Sequence, residues 1–550
     1  MQIVHGLHFN NIRGDIFGGL TAAVVALPLA LAFGVSSGAG PIAGLYGAIF
    51  VGFFAALFGG TPAQVSGPTG PMTVIMAAIF TEYTAMDPVQ GPILAFTVVI
   101  MGGLFQIGFG LARIGRYINY VPLPVVSGFM SGIGVIIILL QLGPLLGYPS
   151  SSGPMTSLIA LPDALANLNV TALILGVVSI VIVYLTPAKL GKFIPSPLLA
   201  LLIGTALWFA LPDKGVTVLG DIPTGLPDFM LPAISLELLP GMIKSALILA
   251  LLGTIDSLLT SLVADNITRS HHESDRELIG QGIGNTIAGF FGGLPGAGAT
   301  MRTVVNVRAG GLTPISGSLH ALVLLAIVLG MGPIASNIPH VVLAGILIKV
   351  GTDIIDWDYL KRIHVSPRPG VIIMFTVLII TVFVDLIMAV GIGMTMAAML
   401  HLKRHSDLQL SKINVRRSAD EETPVSDEEA SILNDSDGHI LLFHIGGPLS
   451  FGSAKEMVKM LAYQQEYQIL VLDMSDVPSL DYTSSRAIKD MVNSTLEAGR
   501  NVVIALPPGE PCALLDREQI LDALSMRYRH IGRLSALRYA KQLLLAKAEA

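Results

Sequence analysis

The chain has 550 residues and a mass of 57.9 kDa; 52% are hydrophobic, only 13% are charged, and the mean hydropathy is +0.71. That balance excludes a string of ordinary soluble domains and points to a polytopic membrane protein. A net charge of −6 excludes a basic footprint for nucleic acid, and Cys512, the single cysteine, excludes an internal disulfide or a cysteine-built metal site.

In chain order, Met1 to Arg13 is polar and leads into a hydrophobic stretch without a small-residue cleavage site, so no removable signal peptide is expected. Seven hydrophobic segments follow at 16–37, 39–59, 70–82, 91–112, 122–146, 170–187 and 196–212. Seven more lie at 243–264, 278–292, 298–309, 313–332, 339–355, 370–385 and 386–402. A full helical span needs about 20 apolar residues, so 70–82 and 298–309 are too short to cross alone. Threaded from a cytoplasmic N-terminus, one side collects Arg113, Arg116, Lys189, Lys192, Arg269, Arg276, Lys361, Arg362, Arg368, Lys403 and Arg404. The other collects Glu82, Asp87, Asp163, Asp213, Asp221, Asp228 and Glu237, with Lys214 and Lys244 as exceptions. The bias places both termini in the cytoplasm.

Both short segments follow the same motif. Phe58-Gly59-Gly60-Thr61-Pro62 recurs as Phe291-Gly292-Gly293-Leu294-Pro295, and each copy runs through small residues into a short segment. The first lead-in carries Ser66-Gly67-Pro68-Thr69-Gly70-Pro71 and the second Gly296-Ala297-Gly298-Ala299-Thr300. With seven segments per half, the copies enter from opposite sides, as in the 7+7 inverted repeats of secondary transporters. A helix that starts inside the membrane offers free N–H groups and a positive dipole end, and two such starts make an anion site. The glycines also suit plain close packing of helices, but Pro68 and Pro71 break the helix more than packing requires.

Three ionisable groups, Asp256, Arg302 and His320, fall at membrane depth. Asp256 and Thr260 are four apart and share a helix face. A carboxylate and a hydroxyl, with carbonyls of 296–300, are hard oxygen ligands for sodium; the same carboxylate could carry a proton, or pair with Arg302 as a structural ion pair. Arg302 could also snorkel to the interface. His320 reads as a hydrogen-bonded core histidine.

Of the 70 charged residues, 38 fall in 401–550, which marks a soluble tail. Residues 406–436, with Asp420-Glu421-Glu422 and Asp427-Glu428-Glu429, read as a solvated linker. Strands at 439–445, 469–473 and 502–506 alternating with helices at 453–464 and 483–498 predict a small α/β domain over 437–550. It shows no phosphate loop, triad or metal cluster.

Pro41-Ile42-Ala43-Gly44-Leu45-Tyr46-Gly47-Ala48, the run Asp256 to Ser261 and the run Glu277 to Asn285 together resemble the SulP family of anion transporters, whose members end in a STAS domain. The resemblance covers nearly the whole chain and is strongest to the sodium-dependent, bicarbonate-transporting members. It implies an α-helical polytopic protein of 14 spans (domain 1–405) with a cytoplasmic STAS domain, no enzyme activity, an inner (plasma) membrane location and a homodimer formed through the STAS domain. It also implies a sodium site at Asp256, Thr260, Gly298 and Thr300, with the anion at Thr69. The half-helix starts add Gly70, Ala299, Thr300 and Arg302 to the anion set. Arg302 stands where the bicarbonate-transporting members are expected to carry glycine and animal anion exchangers an arginine, so that a fixed charge stands where sodium would act. The expected cargo is a small oxyanion, bicarbonate first, with proton-coupled sulfate or dicarboxylate transport as the alternative. In the tail, Asp481-Tyr482-Thr483-Ser484 occupies a loop where related regulators carry a phosphorylatable serine, which Tyr482 or Thr483 replaces here.

Overall fold

The computed structural model describes residues 4–149, 151, 153–187, 190, 194–211, 215–220, 227–384, 386–418, 425–464, 466–524 and 528–548. Lys189, Lys192, Asp213, Lys214, Asp221 and the acids Asp420, Glu421 and Glu422 lie outside the described residues. The chain divides into two compact units, Met1–Thr395 and Met396–Ala550.

The first half of the membrane unit contains α1 (Ile12–Ser36), α2 (Pro41–Phe58), β1 (Ser66–Gly67), α3 (Gly70–Met86), α4 (Gly91–Leu111), α5 (Leu123–Leu145), α6 (Pro154–Ala166), α7 (Val170–Leu185) and α8 (Ser196–Ala210). The second contains α9 (Leu239–Thr268), α10 (Ser274–Phe290), β2 (Ala297–Gly298), α11 (Thr300–Arg308), α12 (Pro314–Ala335), α13 (His340–Ile354), α14 (Trp357–Lys361), α15 (Arg368–Phe383) and α16 (Leu386–Leu410). Each of the expected hydrophobic segments contains a helix. Their lengths do not establish fourteen crossings: among the described residues, five helices (α1, α2, α4, α5 and α9) are long and apolar enough to cross alone. The helix α6 was absent from the expected segments. Its first residue, Pro154, is preset for a helix start, and the axis bends by 119° between α6 and α7. Prolines at the first or second position also open α2, α3, α4, α5, α8, α9 and α15.

Helix packing sorts this unit into two groups. The first joins α1, α2 and α4 to α9, α10 and α12; the second joins α5, α7 and α8 to α13 and α15. Glycine allows both to close tightly. A Cβ on Gly44 would meet the Ala30 carbonyl at 1.9 Å, and Cβ atoms on Gly134 and Gly351 would meet each other's carbonyl oxygens at 2.5 and 2.8 Å. With no hydrophobic drive between helices in lipid, such backbone contact supplies the packing.

The second unit is a five-stranded sheet in the order β3 (Ile413–Arg416), β4 (Ile440–Gly446), β5 (Ile469–Asp476), β6 (Asn501–Ala505) and β7 (Arg529–His530), with only β3 antiparallel to its neighbour. Helices α17 (Asp427–Asp435), α18 (Phe451–Ala462), α19 (Tyr482–Glu497), α20 (Glu510–Arg517) and α21 (Arg533–Ala548) cover it. Alternation along the strands sends Leu441, Phe443 and Ile445 into a core with α18 and α19, and Ile440 and Leu442 into one with α17 and α21. The span 406–436, expected as a solvated linker, instead supplies β3 and α17. A capping box of Ser426 with Glu429 starts α17, and Ile432 and Leu433 bury it. The acid-rich composition hid two short apolar patterns.

Asp473 ties α21 to the sheet. Its Oδ2 accepts from Arg533 Nε at 2.5 Å and lies 2.8 Å from His444 Nδ1, while Oδ1 accepts from Ser475 Oγ at 2.6 Å. Burial alone would raise this carboxyl, but the bonds from His444, Ser475 and Arg533 and the Arg533 charge outweigh it and hold the group well below the usual carboxylate range. A depressed carboxyl stabilises the fold above its unfolded pKa of about 3.9 and loses that contribution as pH falls further. Asp473→Asn is therefore expected to destabilise the tail domain by about 2–4 kcal/mol at neutral pH and to flatten the acid slope below about pH 4. Hydrogen exchange of 469–476 in the full-length protein, measured against pH, checks both.

Candidate functional site

The two lead-ins meet in the middle of the first helix group. There β1 and β2 pair antiparallel, Ser66 with Gly298 and Gly67 with Ala297, so the copies of the repeat arrive head to head. Each strand of the pair leads into a helix: Thr69 is the N-cap of α3 and Ala299 that of α11, and no side chain caps either helix. The first intrahelical bonds are made by Thr73 N–H to Thr69 and by Thr303 N–H to Ala299, which leaves the preceding N–H groups of both starts without helix partners. Gly70 opens α3 against an apolar wall: a Cβ there would meet Ile137 Cδ1 of α5 at 2.5 Å and Ile354 Cδ1 of α13 at 2.9 Å.

The helix α9 runs past both starts. Asp256, 5% exposed, accepts a hydrogen bond from Thr69 Oγ1 at 2.7 Å. One turn on, Thr260 Oγ1 donates to the Gly298 carbonyl at 2.9 Å and lies 2.7 Å from Thr300 Oγ1. Ser257 Oγ accepts from Gly298 N–H at 3.1 Å. The shared face of Asp256 and Thr260 thus bridges the two lead-ins, the acid on the first and the hydroxyl on the second. The carboxylate of Asp256, the hydroxyls of Thr260 and Thr300 and the carbonyl of Gly298 are all hard oxygens, the ligand type that sodium prefers, and a single carboxylate balances a single charge.

Arg302 lies on α11, 1% exposed, and does not snorkel. Its Nη2 donates to the Pro68 carbonyl, while Nη1 has no hydrogen-bond partner. Asp256 and Arg302 hold adjacent residues of the first lead-in rather than each other, and no salt bridge within 4.0 Å joins them. Gly67 makes room for the guanidinium: its φ is +147°, and a Cβ would meet Nη1 at 2.7 Å. His320 is buried on α12, its ring against Gly52 of α2.

Among the described residues of the membrane unit, two buried acids escaped the sequence reading. Glu277 and Asp15, 1% and 0% exposed, each accept several hydrogen bonds from connections between helices. Asp15 takes the N–H groups of Leu312 and Thr313 at 2.8 and 2.9 Å. Both sit one residue outside a hydrophobic segment, at 278 and 16, so a hydropathy window passes them over. The i, i+4 repetition of Glu277, Gln281 and Asn285 was the available signal.

The Sulfate permease family profile matches residues 12–404, and the STAS domain profile matches 431–531. The chain belongs to the sulfate permease family. Members of this family move anions rather than transform them, and its membership makes the chain a membrane protein with a helical body and a STAS domain. The bicarbonate transporter BicA of Synechocystis sp. is 47% identical over 522 residues, covering 94% of this chain and 93% of BicA. The solved transmembrane domain of a cyanobacterial BicA superposes with a TM-score of 0.68 at 51% identity, covering 71% of this chain and all of that domain. The murine Solute Carrier 26 family member A9 anion transporter, in its inward-facing state, shares the fold at a TM-score of 0.80 and 18% identity, covering 98% of this chain and 92% of that one.

Proposed function

We propose that this sulfate permease carries bicarbonate across the inner (plasma) membrane together with sodium, with both termini and the STAS domain cytoplasmic. The observation that carries this reading is the meeting of two uncapped half-helix starts beside the face that presents Asp256 and Thr260. The anion sits at Thr69, Gly70, Ala299, Thr300 and Arg302, where two dipole ends each contribute about 0.3–1 kcal/mol. Sodium sits at Asp256, Thr260, Gly298 and Thr300. Thr300 belongs to both sets, and the Thr69–Asp256 bond links them, so each ion reinforces the field that holds the other. The similarity to BicA over nearly the full length favours bicarbonate among oxyanions.

The group of α1–α4 and α9–α12 moves as the carrier against the remaining helices, exposing the site to either side in turn. The transport domain gives way to the tail within α16 (Leu386–Leu410), with its functional limit near residue 405, and the tail serves regulation and homodimer formation. Uptake by proteoliposomes, with bicarbonate, sulfate and fumarate compared in sodium and in choline, tests the reading: bicarbonate is expected to enter several-fold faster in sodium. Equal bicarbonate uptake in the two media would overturn sodium coupling. One observation favours a second reading, proton-coupled transport of sulfate or a dicarboxylate: the buried Arg302 supplies a fixed positive charge, which leaves Asp256 free to carry a proton. That reading requires uptake that follows pH and ignores sodium.

A further inference from the structure

Neither ion set uses the polar face of α10. Glu277, Gln281 and Asn285 recur at every fourth residue and so line one side of the helix, and they are 1%, 0% and 2% exposed. The upper rung holds the first lead-in: Glu277 Oε2 accepts from the N–H groups of Gly60 and Thr61, both at 2.9 Å, and Oε1 accepts from Gln64 Nε2 at 2.7 Å. Gln281 Nε2 donates to Glu277 Oε1 at 2.8 Å and to Ser66 Oγ at 2.5 Å. The lower rung holds the second: Asn285 Oδ1 accepts from Gly296 N–H at 2.7 Å, and Nδ2 donates to the Gly296 carbonyl at 3.0 Å and to Gln106 Oε1 at 2.9 Å. The backbone of α10 presses on the same connection, since a Cβ on Gly280 would meet Gly59 N at 2.3 Å.

We propose that Glu277, Gln281 and Asn285 are positioning residues for transport, a ladder that sets the spacing of the two half-helix starts around the anion. The proposal rests on the reading of those starts as the ion site. Eight residues of helix separate the end rungs by about 12 Å, a rigid length to which both lead-ins are tied. The chemistry of the rungs fits the task. Four donors converge on Glu277, and only a carboxylate accepts throughout; a glutamine there would turn its amide toward the amides of Gln64 and Gln281. At the other end Gly296 presents both a donor and an acceptor, and a side-chain amide answers both. Asn285→Asp would face the Gly296 carbonyl with a second acceptor.

Hydrogen exchange of the full-length protein, with uptake measured alongside, tests the ladder. Glu277→Ala is expected to speed exchange about tenfold in 59–67 and less in 294–303, which pairs with that stretch through β1 and β2, and Asn285→Ala to do the reverse. Each should raise the anion KM severalfold at saturating sodium, with the maximal rate within about twofold of wild type; Glu277→Gln should fall between. Faster exchange spread evenly over the helices, or wild-type exchange in both lead-ins, would overturn the proposal. Should Glu277→Ala fail to assemble, Glu277→Gln and Asn285→Ala decide by the same readouts. Exchange needs no transport, so a wild type that takes up none of the tested anions would sink the transport reading while leaving the ladder to stand or fall on its own.

Discussion

Replacing Asp256 with asparagine is expected to abolish sodium-stimulated uptake while leaving the protein folded. Asparagine matches aspartate in shape, and its carbonyl can still accept the Thr69 hydroxyl that bonds Asp256 at 2.7 Å. What disappears is the only carboxylate among the proposed ligands. Removing one partner from a buried charge pair costs about 3 kcal/mol or more, a loss of roughly a hundredfold in sodium affinity. Thr260→Ala provides the graded comparison. It deletes one neutral oxygen, worth about 1 kcal/mol, so the sodium concentration for half-maximal uptake should rise about fivefold at an unchanged maximal rate. Initial rates in proteoliposomes against sodium measure both. If protons drive transport, Asp256→Asn would still silence uptake but Thr260→Ala would do little, because a proton needs no ligand set.

The second large effect is expected from Arg302. Its guanidinium is buried beside the half-helix starts, with Nη2 on the Pro68 carbonyl and Nη1 unpartnered. Leaving a buried cation half-satisfied is expensive, and an anion at the site would offset that. Arg302→Gly should therefore weaken anion binding in sodium-free medium by tenfold or more, about 1.4 kcal/mol, and make uptake depend more steeply on sodium. Arg302→Lys keeps the charge but not the planar fork, so it should restore the sodium-free affinity only in part. Anion affinity unchanged by Arg302→Gly would remove this residue from the anion set.

The parts of this site that follow from periodicity were legible in the sequence. The duplicated Phe-Gly-Gly motif located both lead-ins, and the four-residue interval of Asp256 and Thr260 placed them on a common face. What failed was anything carried by polar residues at the edge of an apolar run. The segment beginning at 278 discarded Glu277, although the helix starts at Ser274 and the acid is buried. The same happened to Asp15. In the tail, an excess of acids over 406–436 outweighed the four-residue strand Ile413–Arg416 and the two apolar residues that seat α17. Hydropathy averages over a window, whereas burial is decided residue by residue through hydrogen-bond partners that lie far away in the chain. The Asp256–Arg302 pairing was open on sequence alone for the same reason: the intervening contacts to Thr69 and Pro68 come from the other half.

Those distant partners also bear on how the protein is made. The N–H groups of Thr61 and Val65 find their acceptors on Glu277 and Thr303, 216 and 238 residues further along. A ribosome adding about 5–20 residues per second takes roughly 10–50 s to deliver them. Throughout that interval the first lead-in stands in or beside the bilayer with backbone groups that lipid cannot satisfy. Insertion of the early helices must therefore leave this stretch in contact with water or the insertion machinery, and the site closes only as a late step of biogenesis. Mutations in α10 would then show first as chains that are inserted but slow to mature, before any change in transport is seen.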